Sequence, residues 1–155
     1  MSAQLITARG VVYPWHCDHM GHMNVMWYVG HFDNATWQFL ASVGVTPEYL
    51  RHSGNGVAAV DQRIAYRREL HVGDLFSIRS ALIVSRTSSI QFAHQMFSDS
   101  TGELVASTIL TGVHLSKQTR RSVPLPEDLR RTIDAKVVEN SAAWQQWPPA
   151  AALIA

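Results

Sequence analysis

The chain has 155 residues, 46% of them hydrophobic and only 16% charged, with thirteen Lys and Arg against twelve Asp and Glu for a formal net charge of +1. That balance excludes a polybasic nucleic-acid surface held by counterion release, and the lone Cys17 excludes an internal disulfide framework. No apolar run reaches the ~18 residues of a membrane span, and residues 1–9 lack a basic-then-apolar leader, so the expectation is a cytoplasmic chain.

Residues 7–13 predict a first strand, and 14–23 (PWHCDHMGHM) a His-rich loop without either period. Asn24 is a good N-cap for a helix over 25–43. On it Met26, Val29, Phe32, Asp33, Thr36, Trp37 and Leu40 recur at spacings of three and four, predicting one mostly apolar face interrupted by Asp33. Gly44 stops this helix, and Pro47 opens an extra turn over 46–52. Strands follow over 57–69, 75–85, 88–98 and 103–116, with Asp99-Ser100-Thr101-Gly102 as a hairpin loop. Pro124 and Pro126 end the sheet, and 127–134 can form a short helix.

A strand, a long helix and a four-strand meander make an α+β arrangement. The expected organisation is one domain over 1–140 and an Ala/Trp/Pro-rich tail over 141–155, holding Trp144, Trp147, Pro148 and Pro149. The low charge, against an average of about 25%, and one layer of long strands over one helix imply a homodimer or tetramer.

The chemistry crowds into 15–37. If Asn24 caps the helix, the backbone amide of Val25 points out of its N-terminus, where a developing oxyanion is stabilised. Asp18 lies six residues before Asn24, near enough to face a carbonyl held there. A carboxylate opposite an oxyanion site is the minimum for hydrolysing an activated ester, with Asp18 as nucleophile or as base for water. His22 either orients Asp18 or bonds a loop carbonyl. Asp61 is expected to face solvent. His16, Cys17, Asp18, His19 and His22 are all metal-ligand types, but adjacent loop positions without a Cys-x-x-Cys or His-Glu-x-x-His frame predict no metal. Nothing pairs Cys17 with a particular His as a nucleophile.

The segment 13–37, with Asp18, Gly21-His22, Asn24, Tyr28 and Asp33, resembles the opening motif of the 4-hydroxybenzoyl-CoA thioesterase-like group of hot-dog-fold proteins. Tyr66, Gly73-Asp74 and Pro124-x-Pro126 also fall in family positions, and the resemblance runs over roughly 7–134. It implies an antiparallel sheet wrapped around a long central helix, two subunits joining their sheets, and acyl-CoA sites at the subunit boundary. It implies Asp18 as nucleophile or general base and the Val25 amide as the group polarising the thioester. Asp33 stands where the family more often has Glu, which shortens its reach.

The string 17–25 also resembles thioesterases acting on betainyl-CoA in carnitine and betaine breakdown. Trp15, Trp27, Trp37 and Tyr28 are available to cage a quaternary ammonium group by cation–π attraction, with Asp33 as counter-charge. Coenzyme A would be part of the substrate, with no separate cofactor. Arg86, Lys117, Arg120 and Arg121 are candidates for its phosphates. The rival readings are a hot-dog enoyl-CoA hydratase or dehydratase, and a non-catalytic acyl or small-ligand binding protein.

Overall fold

The computed structural model describes residues 5–144; Trp147, Pro148 and Pro149 of the expected tail lie outside them. The elements in chain order are β1 (Leu5–Val11), α1 (Val25–Ser42), α2 (Pro47–His52), β2 (Asn55–Tyr66), β3 (Leu75–Ser85), β4 (Ser89–Ser98), β5 (Leu104–Ser116) and α3 (Glu127–Asp134). Two 3-10 turns, Pro14–His16 and Ser141–Trp144, follow β1 and α3 respectively. The strands form one antiparallel sheet in the order β1-β3-β4-β5-β2. The sheet wraps around α1, giving the α+β hot-dog arrangement that the resemblance implied. No helix among the described residues is long and apolar enough to cross a membrane.

Alternation along β3 and β4 turns Phe76, Ile78, Leu82, Ile90, Phe92 and Met96 into the layer under α1. The helix answers with Tyr28, Phe32, Ala35, Thr36, Phe39 and Leu40. This differs from the predicted stripe. Phe32, Thr36 and Leu40 are buried, but Met26, Val29 and Trp37 are 62%, 40% and 46% exposed, and Asp33 is exposed with them. The spacing merged two neighbouring faces, one on the core and one beside the β2 edge. Where β1 meets the core the fit is close. A Cβ on Gly10 would collide with the ring of Phe76, so β1 packs there only without a side chain.

A polar thread crosses this core. Thr36 donates to the carbonyl of Phe32 at 2.9 Å, so its oxygen accepts from Nε2 of His94 at 3.0 Å. His94 is fully buried, and its Nδ1 therefore accepts from Ser80 at 2.5 Å, which in turn accepts from Thr7 at 2.6 Å. Every group is satisfied in one direction, tying α1 to three strands. Burial pushes the His94 pKa down to about 3, so its ring is neutral.

β2 forms one edge of the sheet, with a bulge between Ala59 and Asp61. Residues 59–63 are exposed there, and Asp61 lies among them on the solvent side. On the sheet's outer face the segment after α3 returns. The Val138 amide donates to Leu82 O at 2.9 Å, and Trp144 packs on Ala81, Ile83, Ala93 and Ile109.

Candidate active site

The loop between β1 and α1 is folded by its own backbone. Cys17 and Met23 form an antiparallel bridge, and Gly21, at φ +84°, makes the turn between them. Gly21 N donates to Asp18 O at 3.0 Å and Asp18 N to His22 O at 3.2 Å. The loop is seated by Met23 N on Leu70 O and by Asn24 N on His16 O, both at 2.8 Å, with the Met23 side chain buried.

This seating aims Asp18 at the start of α1. Its Oδ1 accepts from the Met20 amide at 2.8 Å and its Oδ2 from Asn24 Nδ2 at 2.6 Å. Asn24 uses its other side-chain atom as the helix cap, Oδ1 accepting from Met26 N at 2.9 Å. The Asn24 amide first, and the Met20 amide second, hold the Asp18 carboxyl below the usual carboxylate range. Val25 is the first residue of α1 and is 55% exposed. Its amide has no protein acceptor among the described residues, as expected of a helix N-terminus. Asn24 thus links the Asp18 carboxylate to the first turn of α1, where the Val25 amide is open.

The His22 ring makes no hydrogen bond to the Asp18 carboxylate, whose partners are Met20 and Asn24. Its Nδ1 lies 3.3 Å from Met23 O, the second of its two expected roles, and its Nε2 lies 3.6 Å from Glu69. Glu69 also approaches His71 at 3.6 Å, and sequence reasoning missed both. Nothing in the local pattern pointed to them, since they come from the turn after β2. Among the described residues no three His, Cys, Asp or Glu side chains group to hold a metal ion. His16 is buried, its Nδ1 accepting from Tyr13 N at 3.0 Å, and Cys17 is partly buried.

The four candidate cage aromatics do not converge within one chain. Trp15 stacks on Tyr13 at 4.4 Å, and Trp27 lies against His16 at 4.5 Å. Tyr28 is buried against Tyr66 at 5.3 Å, and desolvation pushes its pKa up to about 12. Of the expected set, Asp33 and Trp37 share a cavity, one of about 210 Å³ between α1 and β2, with Val29, Thr36, Phe92 and Leu110. Trp27 and Trp37 are ten residues apart on α1, which puts them on different sides of the helix and about 15 Å apart along its axis. His31, another residue that sequence reasoning left unassigned, abuts His16 and Phe76, and burial lowers its pKa to about 4.

The basic candidates gather elsewhere. Arg86 is in the β3–β4 turn, and Lys117, Arg120 and Arg121 are in the turn after β5. Leu125 N on Thr87 O and Ser116 N on Arg121 O place both turns at the same end of the sheet. Lys117 Nζ donates to Leu50 O. The Asp18 loop is at the other end, beside Leu70 and the start of β3. Between them runs α1, eighteen residues and so about 27 Å long.

Residues 12–133 match the sequence profile of the Thioesterase-like superfamily. The chain belongs to that superfamily. This thioesterase-like chain is 22% identical over 135 residues to a betainyl-CoA thioesterase of Pseudomonas aeruginosa, covering 87% of this chain and 85% of the relative. It is 25% identical over 117 residues to an L-carnitine dehydrogenase/betainyl-CoA thioesterase of Agrobacterium fabrum, covering 76% of this chain but only 24% of that longer protein. Among solved structures, a Staphylococcus aureus protein characterised in complex with CoA superposes with a TM-score of 0.80 at 16% identity, covering 96% of this chain and 99% of the other. YbaW, a probable thioesterase of Escherichia coli, superposes with a TM-score of 0.72 at 21% identity, covering 86% and 100%. At these identities the structural likeness establishes the fold.

Proposed function

We propose that this protein hydrolyses the thioester of a small acyl-CoA, with Asp18 attacking or activating water while the Val25 amide polarises the carbonyl. The observation that carries the reading is the double use of Asn24, which holds the Asp18 carboxylate and the N-terminus of α1 through one side chain. An amide donor on the carbonyl oxygen stabilises the charge that develops as the carbon becomes tetrahedral. The lowered pKa keeps Asp18 ionised at neutral pH and makes it a weak base. In general-base action Asp18 delivers water to the carbonyl carbon; in direct attack it forms an acyl-anhydride and expels CoA. Water then cleaves the anhydride to release the carboxylate, after CoA has left as the thiol.

Betainyl-CoA is the substrate this reading favours. The two curated relatives support it, and so does a cavity whose one charged lining residue is Asp33, beside Trp37. Asp33 lies eight residues from Val25, about 12 Å along the helix axis. A betainyl group carries its nitrogen one methylene beyond the carbonyl, so the neutralising Asp33 is that of a second subunit. Pairing two β2 edges about a two-fold axis runs the two α1 helices antiparallel, bringing the Asp33 of one towards the Val25 of the other. The same axis sets the basic turns of one subunit beside the Asp18 loop of its partner, within reach of the CoA phosphates.

Thiol release over a panel of acyl-CoAs tests this. The panel pairs betainyl-CoA with tert-butylacetyl-CoA, in which carbon replaces nitrogen. The charged substrate should be preferred about five- to thirtyfold in kcat/KM. Equal rates would remove the betainyl assignment and leave the thioesterase, whereas no thiol release from any member would remove both.

A further inference from the structure

We infer that Tyr13 and Trp15 form a binding platform for the adenine ring of the CoA substrate. The inference rests on the thioesterase reading but concerns the end of the substrate farthest from the reaction. The two rings stack with centroids 4.4 Å apart and planes only 10° from parallel. They do so in the open: Trp15 is 64% exposed and Tyr13 45%. Large aromatic surface left in water costs free energy unless something covers it.

The stack is held from below rather than free to turn. His16 packs its edge against both rings, at 5.8 Å from Tyr13 and 5.7 Å from Trp15, and rests on Trp27 at 4.5 Å. His16 Nδ1 accepts from Tyr13 N, and Pro14 opens the 3-10 turn that sets the three residues. Burial lowers the His16 pKa, which keeps this support neutral. A rigid planar face loses little entropy on binding and suits a planar heteroaromatic ring.

Its position selects the occupant. His16 is the joint between platform and reaction site: its ring supports the stack, and its carbonyl accepts from the Asn24 amide. Trp15 stands three residues from Asp18, a stretch of chain that spans at most about 11 Å. The substrate carries one adenine at the end of a long, freely jointed pantetheine arm, which can bend over that distance. Stacking takes the base by its face and reads neither acyl group nor phosphate, so the platform serves affinity for CoA as such.

The test compares acyl-CoA with the matching acyl-pantetheine, which lacks the nucleotide. In Trp15→Ala the ratio of kcat/KM for acyl-CoA to that for acyl-pantetheine should fall at least about fivefold, as expected for one lost base stack. Trp15→Phe should restore most of the ratio. Calorimetry with adenosine 3′,5′-bisphosphate supplies a readout that needs no turnover, and Trp15→Ala should weaken its binding by a similar factor. An unchanged ratio and unchanged nucleotide affinity would overturn the inference while wild-type thiol release still upheld the thioesterase. A change in sedimenting mass on Trp15→Ala would also overturn it, showing the platform to be a subunit contact.

Discussion

Asn24 joins Asp18 to the first turn of α1, its Nδ2 2.6 Å from the carboxylate and its Oδ1 2.9 Å from the Met26 amide. The two halves of that link can be separated. Asn24→Asp keeps a cap acceptor but removes the donor and adds a like charge. It should raise the Asp18 pKa and move the acid limb of the pH–rate profile upward, with little loss of stability. Asn24→Ala should lose the cap as well, about 1 kcal/mol by urea unfolding. An acid limb at the wild-type pH in both variants would show that Asn24 does not set the carboxylate.

The thread of Thr7, Ser80, His94 and Thr36 should behave as one structural unit. Ser80→Ala leaves His94 Nδ1 buried without a donor, and Thr36→Val leaves Nε2 without an acceptor. Each should destabilise by about 1–3 kcal/mol in denaturant unfolding. The double variant should cost less than the sum, since both disrupt the same imidazole. Strict additivity would show that the thread does not act as a unit.

Acid should unfold the protein through its histidines. His31 and His94 have folded pKa values of about 4 and 3, below the unfolded value of 6.5. Between 6.5 and 4 the unfolded chain binds protons at these rings that the folded chain refuses. Stability present above pH 6.5 is therefore lost as pH falls towards 4 and, for His94, towards 3. His31→Gln should flatten the decline of Tm between pH 6.5 and 4. An identical slope would show that His31 titrates normally in the fold.

The exposed middle of β2 should pair with a second copy. Val60, 61% exposed beside the bulge, is the place to interrupt it. Val60→Pro removes an edge N–H and should shift sedimentation from dimer to monomer. A wild-type protein that already sediments as a single chain at micromolar concentration would contradict the dimer.

The order of elements was legible because turn residues punctuate it: Asn24 and Gly44 bracket α1, and residues 99–102 close the β4–β5 hairpin. The core face of α1 was not. A helix enclosed by a sheet on one side and an apolar groove on another is apolar around most of its circumference, so period alone cannot choose between Phe39 and Trp37. Asp18, Asn24 and Val25 were legible as a unit because one short loop holds all three. Glu69 was not, because it reaches His22 from 47 positions away. The separation of Arg86, Lys117, Arg120 and Arg121 from Asp18 depends on which end of the meander each turn occupies, which requires the strand pairing. Trp15, Trp27 and Trp37 part company for a related reason: nearness in sequence does not set the direction of a ring.

Asp18 carries the proposed reaction. Thiol release from acyl-CoA by Asp18→Asn, with circular dichroism and sedimentation matching wild type, measures its part in the reaction. Replacing the carboxylate by the isosteric amide should lower kcat by a factor on the order of 10²–10⁴. A folded Asp18→Asn protein that retains more than about a third of the wild-type kcat, against a loss expected at that scale, would contradict that role.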